Sequence, residues 1–122
     1  MSTLNISTRH AGNVAIVDLN GQIRLGETNI NLHNAIKKLV EEGEKDIVLN
    51  LAGVTHIDSS GLGELVAGFT TVERNGGQMK LVNLSDRVID LMTITKLLTV
   101  FDVFEDERTA IESFGGATQA SA

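Results

Sequence analysis

Between Thr55 and Phe69 the chain reads THIDSSGLGELVAGF, and its chemistry-bearing side chains crowd together there. An acid, Asp58, precedes two hydroxyls, Ser59 and Ser60, and glycines follow at 61, 63 and 68. The stretch before it, IVLNLAGV, reads as a core strand, and after Gly63 the apolar residues fall at helical spacing. A strand that ends in a polar turn and opens a helix leaves several backbone N–H groups without internal partners. Asp58, Ser59 and Ser60 are all suited to cap them, and either Asp58 or Ser59 fits the cap position. Capping-box spacing is not met, because Leu62 stands three residues after Ser59 and Gly63 three after Ser60.

Glycine in the first turns of a helix costs up to about 1 kcal/mol relative to alanine. Its gain is bare backbone that another molecule, or a phosphate, can approach. The helix start also carries a partial positive charge and free N–H donors, so it tolerates an anion. A serine displayed there suits a site that is phosphorylated and dephosphorylated. A large side chain at position 61 would obstruct an in-line phosphoryl transfer, so Gly61→Leu is expected to impair phosphorylation more than folding. The simpler reading of the same residues is a cap with glycines that ease packing.

Other chemistry is poorly supported. His10, His33 and His56 are too scattered for a metal site. His56, Asp58 and Ser59 invite a hydrolase reading, yet a triad converges in space rather than along four residues, and G-x-S-x-G is absent. GLG alone is no dinucleotide fingerprint, and there is no Gly-rich loop ending in Lys-Ser or Lys-Thr. No cysteine is present, which excludes disulfides and thiolate ligands. No metal and no cofactor are predicted.

The elements around this junction follow from periodicity and punctuation. LNISTRH and VAIVDL, joined by AGN, predict an antiparallel hairpin, and NGQIRLGET extends it into a polar loop. From Asn29, residues Leu32, Ile36, Leu39 and Val40 share a helical face that Gly43 ends. KDIVLNL is a strand covered on both faces. Leu62, Leu65, Val66, Phe69 and Val72 form a second helical stripe, ended by NGG, and QMKLVNL returns as a parallel strand. SDRVIDLM starts a third helix capped by Ser85, with Val88, Leu91 and Met92 buried. LLTVFDVF predicts a short edge strand, EDERTAIESF a closing helix and GGATQASA a disordered tail over 115–122. The sum is a single α/β domain over 1–114, a small mixed sheet of four to five strands with about four helices mainly on one face.

Composition narrows the function. Ten Lys and Arg against sixteen Asp and Glu leave a net charge of −6, which argues against a nucleic-acid backbone or an anionic membrane as partner. The first residues lack an apolar signal region and no run reaches membrane-spanning length, which predicts a soluble cytoplasmic protein.

With these residues in place, IVLNLAGVTHI followed by DSSGLG resembles the bacterial anti-sigma-factor antagonists of the STAS family. The likeness also takes in GQI with its GE loop, NGGQMKLVNL and TKLLTVFDVFEDERTAIESF, from about Leu4 to Phe114. It implies a binding protein that is not itself an enzyme. In that family the first serine of the motif is phosphorylated by a partner that is both anti-sigma factor and serine kinase. The unmodified antagonist binds this partner and frees the sigma factor, and a PP2C-type phosphatase removes the phosphate. The resemblance makes Ser59 the phosphoacceptor, with Asp58, Ser60, Gly61, Leu62 and Gly63 around it. It adds Leu25, Gly26, Glu27 and Thr28 to the partner surface. It is compatible with a weak homodimer and with weak nucleotide binding. Two rival readings are a STAS module of a lipid transporter or stress-sensing complex, and a small hydrolase using Ser59.

Overall fold

The structure, a computed structural model, describes residues 4–24 and 26–120, without the side chains of 27–29 and 115–120. Strand β1 (Leu4–Ala11) and strand β2 (Val14–Ile23) form the expected antiparallel hairpin, turning at Gly12 with φ +61°. Helix α1 (Glu27–Glu41) leads to β3 (Asp46–Ile57), which pairs with β2 in parallel. Helix α2 (Ser59–Arg74) leads to β4 (Gln78–Val82), parallel to β3. Helix α3 (Asp86–Ile94), β5 (Asp102–Phe104) and α4 (Glu107–Ala120) complete the chain. The mixed sheet has the order β1-β2-β3-β4-β5.

The inner strands β2, β3 and β4 read as largely apolar runs because the sheet is covered on both faces there. On one face Ala15, Val17, Leu19, Ile47, Leu49, Leu51, Met79 and Leu81 are buried in one cluster with residues from three helices. Those helices contribute Leu32, Ile36 and Leu39 from α1, Leu62, Leu65 and Val72 from α2, and Val88 and Met92 from α3. Val66, Phe69 and Leu91 pack at the edge of this core, half-buried. On the other face α4 lays Ala110 and Phe114 over Val14, Ile16, Val48 and Val82. Lys80 is buried with this second cluster. Its Nζ donates to Ser113 Oγ at 2.7 Å and lies 4.5 Å from the Phe114 ring centre.

Three helices end in one way. After α1, Gly43 has φ +89° and its N–H donates to Val40 O, while Glu44 donates to Leu39 O. After α2, Gly76 has φ +82°, with bonds from Gly76 to Glu73 O and from Gly77 to Val72 O. After α3, Lys96 has φ +62°, with bonds from Lys96 to Thr93 O and from Leu97 to Met92 O. Each is a Schellman turn, in which the left-handed residue lets the chain satisfy the last carbonyls. The third corrects the sequence reading at LLTVFDVF. Leu97 belongs to the helix-ending turn, and strand pairing is confined to Asp102–Phe104. The tail expected over 115–122 overlaps the last turns of α4, and residues 121 and 122 lie outside the described residues.

Candidate functional site

Strand β3 ends at Ile57 and α2 begins at Ser59, so Asp58 alone makes the turn. Asp58 takes the extended conformation of an N-cap, and its Oδ1 accepts the N–H of Gly61 at 2.8 Å. Its carbonyl accepts from Leu62 N at 2.9 Å, the first bond of the helix. The choice between Asp58 and Ser59 is thereby resolved: the carboxylate caps, and the Ser59 side chain is left exposed. Ser60 is half-buried.

The glycines divide into two kinds. Gly61 is buried, and a Cβ there would stand 2.4 Å from Ile23 O and 2.8 Å from Ile57 Cγ1. This glycine lets the first turn of α2 seat on the end of β2, and its backbone is not offered to a visitor. Gly68 does the same against Ile36 of α1, with a Cβ–Cδ1 distance of 2.6 Å. Gly63 has open space where a Cβ would be and is exposed. Leu62 is only 1% exposed, so its side chain belongs to the core rather than to a contact surface.

The loop before α1 lies beside this junction because Asp58 N donates to Ile23 O at 3.2 Å. Gly26 precedes α1 with φ +106°, exposed and with no side-chain cap. Leu25 lies outside the described residues; Glu27 and Thr28 are in α1, but their side chains lie outside them too. Arg24 is exposed, and its Nη1 donates to Gln22 Oε1 at 3.0 Å. Ile30, in the first turn of α1, is 57% exposed, an apolar residue of this surface that its place in the sequence does not flag.

The histidines play structural parts. His33 Nδ1 sits 2.6 Å from Glu64 Oε1, which ties α1 to α2. His10 Nε2 sits 2.7 Å from Glu44 Oε2. His56 is a half-buried residue of β3, in register with Gln22. Among the described residues no group of three His, Cys, Asp or Glu side chains is placed to hold a metal ion. A shallow cavity of about 670 Å³ lies elsewhere, lined by Asn83, Ser85, Asp86, Phe104 and Glu105 among others, and does not include Ser59. Among the described residues no helix is long and apolar enough to cross a membrane.

What the junction offers is therefore a serine hydroxyl held outside a rigid frame, beside a second exposed loop. Known proteins show where this frame recurs. Residues 5–110 match the STAS domain family. The anti-sigma-B factor antagonist of Bacillus subtilis is 34% identical over 100 residues, covering 82% of this chain and 90% of its own. An anti-sigma factor antagonist from Mycobacterium paratuberculosis superposes with a TM-score of 0.78 at 19% identity, over 91% and 93% of the two chains. The Bacillus cell fate determinant SpoIIAA in its phosphorylated form gives 0.68 at 18% identity, over 92% and 99%.

Proposed function

The chain belongs to the STAS domain family, and from that premise we propose that it is an anti-sigma factor antagonist switched by phosphorylation of Ser59. The unmodified protein binds an anti-sigma factor that is also its serine kinase, and so frees a sigma factor. Phosphate on Ser59 breaks that complex, and a PP2C-type phosphatase restores it. The reading is supported by one observation above the rest. Ser59 is exposed at the first position of α2, while Asp58, Gly61 and Leu62 on either side are fixed by capping and packing.

Magnitudes favour a switch of binding rather than of folding. A phosphoserine brings about −1.5 to −2 charges at neutral pH. At a helix N-terminus such charge is stabilised by roughly 0.3 to 2 kcal/mol, small beside a domain stability of about 5 to 15 kcal/mol. Stripping water from the same dianion in a tight interface costs several kcal/mol. About 3 kcal/mol of that cost already weakens binding more than a hundredfold. The fold survives and the complex does not.

The test is to isolate the protein from its own cells, identify the partner it retains and map its phosphate by mass spectrometry. Phosphate at Ser59, found only in protein free of that partner, is the expected result. A phosphorylated Ser59 inside the retained complex would sink the reading.

A further inference from the structure

The shallow cavity of about 670 Å³ opens where the parallel strands β4 and β5 end and α3 begins. Leu84, Ile89, Val103 and Phe104, all half-buried, form its apolar floor, with Ala52 of β3 beside them. Two exposed carboxylates complete the lining: Asp86 in the first turn of α3 and Glu105 just after β5. Neither carboxylate has a hydrogen-bond or ion-pair partner among the described residues. No Lys, Arg or His lines the cavity.

The neutral polar side chains favour the same kind of occupant. Asn83 Nδ2 donates to Asn50 Oδ1 at 3.2 Å, which leaves the Asn83 amide oxygen as an acceptor. Ser85 Oγ is engaged by the cap of α3, accepting from Val88 N at 3.3 Å. The lining thus offers two carboxylates and an amide oxygen, and no cation to answer an anion. A guanidinium carries only N–H donors, so it complements this set, and its methylene stem suits the apolar floor. Lys80 Nζ already lies 5.3 Å from the Phe104 ring centre, so the charge is met by the rim carboxylates rather than by that ring. A small-molecule site buries most of its ligand, which a cavity this shallow does not do. It suits a side chain held from outside by its own chain.

We propose that this cavity docks an arginine side chain of a partner protein, flanked by apolar residues that rest on Ile89 and Val103. The net charge of −6 draws a basic segment towards the chain, and the two rim carboxylates fix where it lands. Charge-assisted hydrogen bonds from the guanidinium to Asp86 and Glu105 hold it there. The site shares no residue with the Ser59 junction and does not rest on the reading of that junction.

The probe is an acetylated and amidated Leu-Arg-Leu peptide, titrated into the ¹⁵N-labelled full chain by NMR. Saturable shifts of the Asn83, Ser85, Ile89, Val103 and Glu105 amides are expected. Citrulline in place of the peptide's arginine, a neutral isostere, should weaken binding by about three- to tenfold. The double variant Asp86→Asn, Glu105→Gln should weaken it as much, with a melting profile like that of the wild type. Asp90→Asn and Asp102→Asn, exposed acids outside the cavity, should leave binding within about twofold, which separates the site from net charge. Equal binding of the citrulline peptide, undiminished binding by the double variant, or shifts confined to another surface overturns the proposal. The citrulline comparison needs no variant, so it decides even if the double variant melts early. Free arginine that binds as tightly as the peptide also overturns it, since the occupant would then be a small molecule.

Discussion

Gly61 lies against the carbonyl of Ile23 so closely that a Cβ on it would stand 2.4 Å from that oxygen. The same oxygen accepts the N–H of Asp58. One backbone atom at the end of β2 thus fixes both the cap and the third residue of α2, and through them the position of Ser59. Gly61 serves the frame that presents the hydroxyl.

It follows that Gly61→Leu loses stability first, contrary to what its motif suggests. Overpacking against a backbone atom that cannot retreat is expected to cost about 2 kcal/mol or more. Gly63→Ala, with open space around it, should be neutral or gain up to about 1 kcal/mol from helix propensity. Urea unfolding of the two variants decides the matter, and equal midpoints would refute the distinction.

Asp58 caps the helix by accepting the N–H of Gly61. Asp58→Ala should cost about 1 kcal/mol, and Asp58→Asn much less, because asparagine caps nearly as well. Denaturation midpoints give the ranking. A loss in Asp58→Asn as large as in Asp58→Ala would mean that the charge, not the capping acceptor, stabilises the turn.

Much of this molecule was legible in its sequence, for identifiable reasons. Gly43 and Gly76 announced the ends of α1 and α2 because glycine is the usual residue in a left-handed cap. Lys96 makes the same turn after α3, and since a lysine there gives no signal, LLTV reads as part of a strand. Gly61 and Gly63 look alike in the motif; only the packing of α2 on Ile23 separates a buried glycine from an open one. Leu62 carried two signals, the helical stripe it shares with Leu65, Phe69 and Val72 and the motif around Ser59, and its burial decides for the stripe. The pairing of His33 with Glu64 spans 31 residues and depends on how α1 meets α2, for which spacing holds no clue.

Lys80 is 6% exposed, with its ammonium on Ser113 Oγ and beside the Phe104 and Phe114 rings. Ser113 Oγ also donates to Ala110 O, so that hydroxyl keeps its own acceptor if the lysine is removed. Lys80→Met preserves the volume under α4 without a charge to desolvate, and should change stability by less than about 1 kcal/mol. Lys80→Ala, which leaves a void, should cost about 2 kcal/mol or more. Thermal melts of both variants test this.

Two carboxylates give opposite responses to acid. The backbone N–H of Thr109, donated to Asp106 at 2.8 Å, holds that carboxyl below its usual 3.8. Burial pushes Asp46 above 3.8, with Lys80 opposing. For Asp106 the folded pKa is lowered, so its stabilisation is present above pH 3.8 and lost as pH falls through the folded value. For Asp46 the folded form takes up its proton first, so acid relieves a penalty present at neutral pH. Asp106→Ala should be less stable than wild type at pH 6, and Asp46→Asn more stable. Both differences should close towards pH 3, as read from urea midpoints across that range.

Ser59 can be tested apart from any phosphate chemistry. Its side chain is exposed and the neighbouring capping bond belongs to Asp58, so neither Ser59→Asp nor Ser59→Ala removes a described contact of the fold. Both variants should keep the wild-type unfolding midpoint to within about 0.5 kcal/mol, the ordinary range for surface changes. Their binding should diverge. Ser59→Ala is expected to hold the kinase partner and to accept no phosphate. Ser59→Asp places one charge where the phosphate would place nearly two, and should lose at least about tenfold in affinity, or 1.4 kcal/mol. Binding is measured by calorimetry with the partner recovered from the same cells. An aspartate variant that binds as tightly as wild type, with its fold intact, would leave the charge at position 59 without a role in the switch.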